Sequence, residues 1–160
     1  MDNFAYGSNL NLGQIQNRCP DSVPVARVIL KGYQLCFNRV ADIVKKEGGV
    51  VHGAIYTVSQ ADIKNLDIHE GYPQFYTKIQ VMVEDEQGNT HEAFAYVMTQ
   101  KGSREPSEAY YNIIKQGYQD WLLPVQALSD ARERSYNCIG EADVFVLSLL
   151  SCHCSDSYAI

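Results

Sequence analysis

At 160 residues with 46% hydrophobic side chains, the chain has the length and apolar content for one domain with a substantial core. Its net charge is −6 and its thirteen Lys and Arg residues are scattered, so the concentrated positive face that nucleic-acid binding needs is missing. The longest apolar run, Val144 to Leu150, is far below the ~20 residues that span a bilayer.

In chain order, Phe4–Tyr6 reads as a short first strand, and Asn11 to Asn17 as a short helix. Between them, Gly7-Ser8-Asn9 has the residue types of a tight turn and a helix cap. Glycine here allows close backbone approach and unusual torsions. Such a strand-to-helix turn aims several backbone N–H groups in one direction, a cradle for an anion or an oxyanion. The plain alternative is a turn with Gly7 present only for its torsions. Val25–Leu30, Gln34–Asn38 and Gly53–Val58 follow as strands. The segment from Asn38 to His52 is polar and Gly-rich and reads as a loop over the sheet.

Ser59-Gln60-Ala61-Asp62 has capping-box spacing with Asp in place of Glu, and a helix is expected from Gln60 to His69 with Ile63 and Leu66 inward. Gly71 then falls where a left-handed C-terminal residue is wanted. Phe75–Val83 and Thr90–Met98 alternate with period two, and the polar Glu84–Asn89 loop between them makes a hairpin. A last helix covers Ser107 to Tyr118, with Tyr110, Ile113 and Ile114 on one face. Mostly antiparallel strands with a few helices give an α+β fold, a curled sheet or small barrel.

The five cysteines are odd in number, and the dispersed Cys19, Cys36 and Cys138 suit reduced thiols. Cys36 reads as a small buried hydrophobe. Cys152-His153-Cys154 lacks a second ligand pair at zinc spacing, so no metal is expected. Asp2 and Asn3 replace the basic start of a signal peptide, and a cytoplasmic protein is expected. His52 and His91 read as structural or exposed, and His69 as pointing away from its neighbour Glu70.

Two segments together carry a resemblance. Phe4-Ala5-Tyr6-Gly7-Ser8-Asn9-Leu10 and, downstream, Leu66-Asp67-x-x-Glu70-Gly71-x-Pro73-x-x-Tyr76 resemble the γ-glutamylcyclotransferase family. Pro106 to Tyr110, with Ile113-Ile114, Gly117 and Leu123-Pro124, fits the same pattern. The resemblance runs from Phe4 to Pro124. It implies a mixed barrel-like sheet of about six strands with helices around it and a cleft at one end. The very short start and the Ser151–Ile160 tail have no counterpart in the family. A domain at 1–143 and a tail of unknown role at 144–160 are therefore expected.

The activity implied is cyclisation of a γ-glutamyl amine to 5-oxoproline, a lyase-type acyl transfer of γ-glutamyl and glutathione metabolism that needs no cofactor. The substrate's own α-amine is the nucleophile, so one carboxylate and a backbone cradle suffice. The resemblance puts the catalytic acid/base at Glu70, which on sequence alone reads as a solvated helix-end glutamate. At a helix C-terminus its charged form is disfavoured, which suits a general base. Asn3, Phe4, Ala5, Tyr6, Gly7, Ser8, Asn9, Tyr76 and Tyr110 are the implied substrate-binding set. Tyr76 and Tyr110 are expected to bind the substrate carboxylate or to hold Glu70. The Ser8-Asn9 turn favours γ-glutamyl amino acids over the γ-glutamylamine and glutathione-specific relatives. Two alternatives stay open: removal of a γ-glutamyl group from a specialised amine, and a non-catalytic γ-glutamyl-binding module. A homodimer is the assembly the family implies.

Overall fold

A computed structural model describes residues 1–135. Its centre is a closed five-stranded barrel in the order β1-β3-β2-β4-β5. The strands are β1 (Asp2–Ala5), β2 (Val23–Asn38), β3 (Val40–Thr57), β4 (Tyr76–Asp85) and β5 (Thr90–Met98). All neighbours are antiparallel except β1 and β5, which run parallel with Asn3 opposite Phe94. The α+β class and barrel-like mixed sheet expected from the sequence are found. The tail at 144–160 lies outside the described residues.

One expectation is corrected. Residues 40–52 are not a loop but the first part of β3, paired with β2 from Asn38↔Val40 onward. Arg39 turns the hairpin with φ 66°, and the two strands run 16 and 18 residues. The break expected between Leu30 and Gln34 is a bulge inside one strand. There the partners jump from Lys31↔Val50 to Tyr33↔Lys45, so Gly32 faces the extra residues 46–49. The polar Lys45 to Gly49 stretch reads locally as a loop, but cross-strand pairing holds it in the sheet.

The helices pack around the barrel. A 3-10 turn, Ser8–Leu10, leads into α1 (Leu12–Arg18), which Asn11 caps by accepting from the Gln14 N–H at 3.0 Å. α2 (Gln60–Glu70) has the expected capping box: Asp62 N–H donates to Ser59 Oγ, and Ser59 N–H donates back to Asp62 Oδ2, both at 3.1 Å. Gly71 closes α2 in the left-handed conformation at φ 63°. Leu66 is its buried anchor, with Ile63 partly buried.

α3 (Glu108–Asp120) turns its inward face further than expected: Tyr111, Ile114, Gly117 and Tyr118 are buried, and Tyr110 is left at the margin. Gly117 is needed for contact, since a Cβ there would lie 2.6 Å from Leu10 Cβ. A further helix, α4, occupies 125–135. Phe4, Phe37, Ile43, Ile55 and Phe94 are fully enclosed in the core. At its edge Tyr56 and Trp121 meet edge-on, with centroids 5.5 Å apart. No helix among the described residues is long and apolar enough to cross a membrane.

Candidate active site

The last residue of β1 leads into Tyr6 and the 3-10 turn, at one end of the barrel. There Asn3 to Asn9 line a cleft together with Glu70, Tyr76 and Tyr110. All ten residues singled out in the sequence thus fall on one surface. Ala41 and Tyr96 complete it. Counted out to its open mouth, the cleft holds about 340 Å³ of space.

Glu70 is the last residue of α2 and enters the cleft from the side. Asn9 Nδ2 donates to its Oε1 at 3.0 Å. Burial raises the Glu70 pKa above the ordinary carboxylate range, while the Asn9 bond and the nearby Arg18 charge oppose the rise. The C-terminal end of α2 adds its negative pole to the same upward push.

Gly7 faces the opposite wall. A Cβ on it would lie 3.2 Å from Ala41 Cβ and 3.6 Å from the Tyr110 hydroxyl. Its φ is −112°, outside the left-handed region, so close packing and not a left-handed torsion accounts for glycine here. The N–H groups of this first helical turn are the ones a helix leaves without internal partners.

The tyrosines brace the walls of the cleft. Tyr76 OH donates to the Ala41 carbonyl at 2.8 Å, and the Ala41 N–H donates to Tyr110 OH at 3.1 Å. Together they pin the tip of the β2–β3 hairpin over the cleft. The expectation that they hold Glu70 is replaced by this arrangement; Asn9 makes that contact. Tyr6 OH donates to the Tyr96 carbonyl. Tyr96 OH donates to Asp67 Oδ1 at 2.6 Å, one turn before Glu70, and Lys78 Nζ sits 2.6 Å from the same oxygen. This fastens the end of α2 to β4 and β5. Burial raises the phenol pKa of Tyr6, Tyr76, Tyr96 and Tyr110, so all four are neutral near pH 7.

Asn3 donates from Nδ2 to the Phe94 carbonyl at 3.2 Å, and its buried Oδ1 has no partner among the described residues.

Arg18, at the end of α1, was not indicated by the sequence. Its guanidinium donates to Asn9 Oδ1 at 2.6 Å, Ser8 Oγ at 3.0 Å and Gln14 Oε1 at 2.7 Å. The one sequence cue is its place in the last turn of a helix just behind the Ser8-Asn9 turn. Tyr96, too, shows nothing in sequence to set it apart from other strand aromatics.

The remaining candidates stay outside. His69 is exposed, His52 is half-buried on β3, and His91 bonds Asp85 at 3.0 Å in the β4–β5 turn. Cys36 is half-buried, not enclosed as expected; Cys19 is the buried thiol. Cys152-His153-Cys154 lies outside the described residues. Among the described residues no three His, Cys, Asp or Glu side chains group as a metal-ligand set.

Residues 3–123 match the family model described as gamma-glutamyl cyclotransferase, AIG2-like. The protein is 29% identical over 136 residues to the gamma-glutamylcyclotransferases of Bos taurus and of Homo sapiens, covering 77% of this chain and 72% of each relative. A solved gamma-glutamyl cyclotransferase structure superposes with a TM-score of 0.75 at 26% identity, covering 82% of this chain and 85% of that one.

Proposed function

This chain belongs to the gamma-glutamyl cyclotransferase, AIG2-like family, and we propose that it converts a γ-glutamyl amino acid into 5-oxoproline and the free amino acid. The observation that carries the reading is the Glu70 carboxylate, largely withdrawn from water and held by Asn9 beside the Gly7–Asn9 turn. A base of raised pKa next to a row of backbone donors is the equipment this cyclisation needs.

The substrate's α-ammonium must lose a proton before its nitrogen can attack. Glu70 takes that proton. Asn3 Oδ1 is a buried acceptor available to the same amine. The nitrogen then bonds to the γ-carbonyl carbon, closing a five-membered ring, and the carbonyl oxygen becomes an oxyanion. Backbone N–H groups of Gly7, Ser8 and Asn9 stabilise it. As the oxyanion collapses, the bond from the γ-carbon to the leaving nitrogen breaks. Glu70 returns its proton to that nitrogen. It then takes the second proton that attack leaves on the ring nitrogen and passes it to the departing amine, which leaves as the ammonium with the carboxylate regenerated. Folding the γ-glutamyl group back on itself is the work of the small cleft walled by Tyr76, Tyr110 and Ala41. Every proton transfer in this sequence is made by a protein group. The Ser8-Asn9 turn favours amino acids, rather than simple amines, as the leaving group.

The test is 5-oxoproline release from γ-glutamyl-alanine by the parent and by Glu70→Gln. The parent should form product, and the variant should fold but lose ~10²–10⁴-fold in rate. Equal rates would remove Glu70 from the chemistry. No product from the parent across γ-glutamyl-alanine, γ-glutamyl-lysine and glutathione would overturn the reaction itself.

A further inference from the structure

We propose that Arg18 is a positioning residue for this reaction: it fixes the Asn9 amide with its NH₂ group toward Glu70 and so keeps that carboxylate in the ionised, proton-accepting form. The inference rests on the reading of Glu70 as the acid/base.

An arginine side chain has donors and no acceptor. Arg18 Nη1 lies 2.6 Å from one end of the Asn9 amide, so that end must be the oxygen. The NH₂ end is then left for Glu70, 3.0 Å away. A reversed amide would set donor against donor at Arg18 and oxygen against oxygen at Glu70. Arg18 therefore decides which way Asn9 points, and Gln14 and Ser8 hold Arg18 itself in place. Arg18 does not line the cleft. It acts from behind the turn, through Asn9 and through its charge.

The other titratable groups facing Glu70 come from every side of the cleft. They are Tyr6 after β1, Cys19 after α1, Tyr76 on β4, Tyr96 on β5 and Tyr110 on α3. Burial raises all four phenols and pushes the Cys19 thiol up to about 12, so each is neutral near pH 7. His69, next in the sequence, is exposed at its surface but is held towards its neutral form by partial desolvation of its ring and by the Arg18 charge. Of these neighbours Arg18 alone brings a charge. Burial drives Glu70 towards its protonated form, and Arg18 with Asn9 drives it back.

The experiment compares the parent, Arg18→Met and Arg18→Lys in two ways. One is the pH profile of kcat/KM for γ-glutamyl-alanine. The other is a substrate-free titration of the Glu70 side chain by ¹³C-carboxyl NMR, with the signal assigned by its loss in Glu70→Gln. Arg18→Met should move the acid limb and the Glu70 midpoint upward together by about one pH unit, a ~tenfold loss of kcat/KM on that limb. The plateau above the limb should fall much less. Arg18→Lys, which keeps the charge and gathers its donors on a single nitrogen, should restore most of the midpoint. A loss of activity with the acid limb and midpoint unmoved would make Arg18 a brace for the turn and overturn the proposal. Should the methionine variant not fold, Arg18→Gln replaces it with the same two outcomes. A parent that releases no 5-oxoproline overturns the reaction, while the NMR titration still decides whether Arg18 sets the state of Glu70.

Discussion

Glu70 is under opposed demands, because the burial that makes it a useful base also works against the fold. Its folded pKa is raised. A carboxyl of raised pKa is no burden at low pH, where it is protonated in both states. Its cost appears as pH climbs from the unfolded carboxyl range through the folded pKa. Glu70→Gln removes that cost. The variant should therefore melt above the parent at pH 7, with the gap closing as pH falls towards 4; thermal melts across that range check it. A gap that stays constant or widens on acidification would mean Glu70 is not strained at neutral pH. The Gly7–Asn9 turn was legible in the sequence because its chemistry is local, a glycine and a cap, whereas Glu70 was singled out by the family resemblance, its helix-end position alone reading as a solvated glutamate. Arg18 was not legible. An arginine in the last turn of a helix is ordinarily solvated, and only the fold brings Ser8 and Asn9 under its guanidinium.

The element that matters most to the site is α2, whose last residue is Glu70. Its start was legible as Ser59 to Asp62 and its stop as Gly71, and both devices are present. Gly71 carries a φ of 63°, and a Cβ there would meet Phe75 Cδ2 at 2.6 Å. Gly71→Ala should cost about 1–2 kcal/mol in a denaturant melt through the backbone strain alone. It should also lower turnover, since the residue before it must shift; a loss of stability with full activity would separate Glu70 from the helix end. The β2–β3 hairpin was half legible. Its inner segments show strand character, whereas Lys45 to Gly49 looks like a loop because no local signal there favours a strand. Residues Ala41 to Ile43, buried beside the cleft, were lost with it.

At the scale of the molecule, the strand order is what no local reading supplies. β3 sits between β1 and β2, and β1 closes the barrel against β5, near and far in sequence at once. β1 is only four residues long, yet it is the strand that both completes the sheet and delivers the turn of the cleft. Barrel closure and assembly of the cleft are therefore one step. During refolding from denaturant, 5-oxoproline-forming activity should return with the same time constant as native tyrosine and tryptophan fluorescence. Activity that lags behind would place turn formation after closure. Pairing of such distant segments argues for slow folding relative to a helical protein of this length.

The clamp on Ala41 has a consequence for how such a cleft diversifies. Tyr76 and Tyr110 grip the backbone carbonyl and N–H of this residue, not its methyl group. That methyl faces Gly7 across the site. A change at position 41 thus resizes the chamber while the grip that holds the hairpin in place stays made. Selection for a bulkier or slimmer guest has here a single codon to work on, one whose side chain abuts Gly7 and not the tyrosine grip on the hairpin.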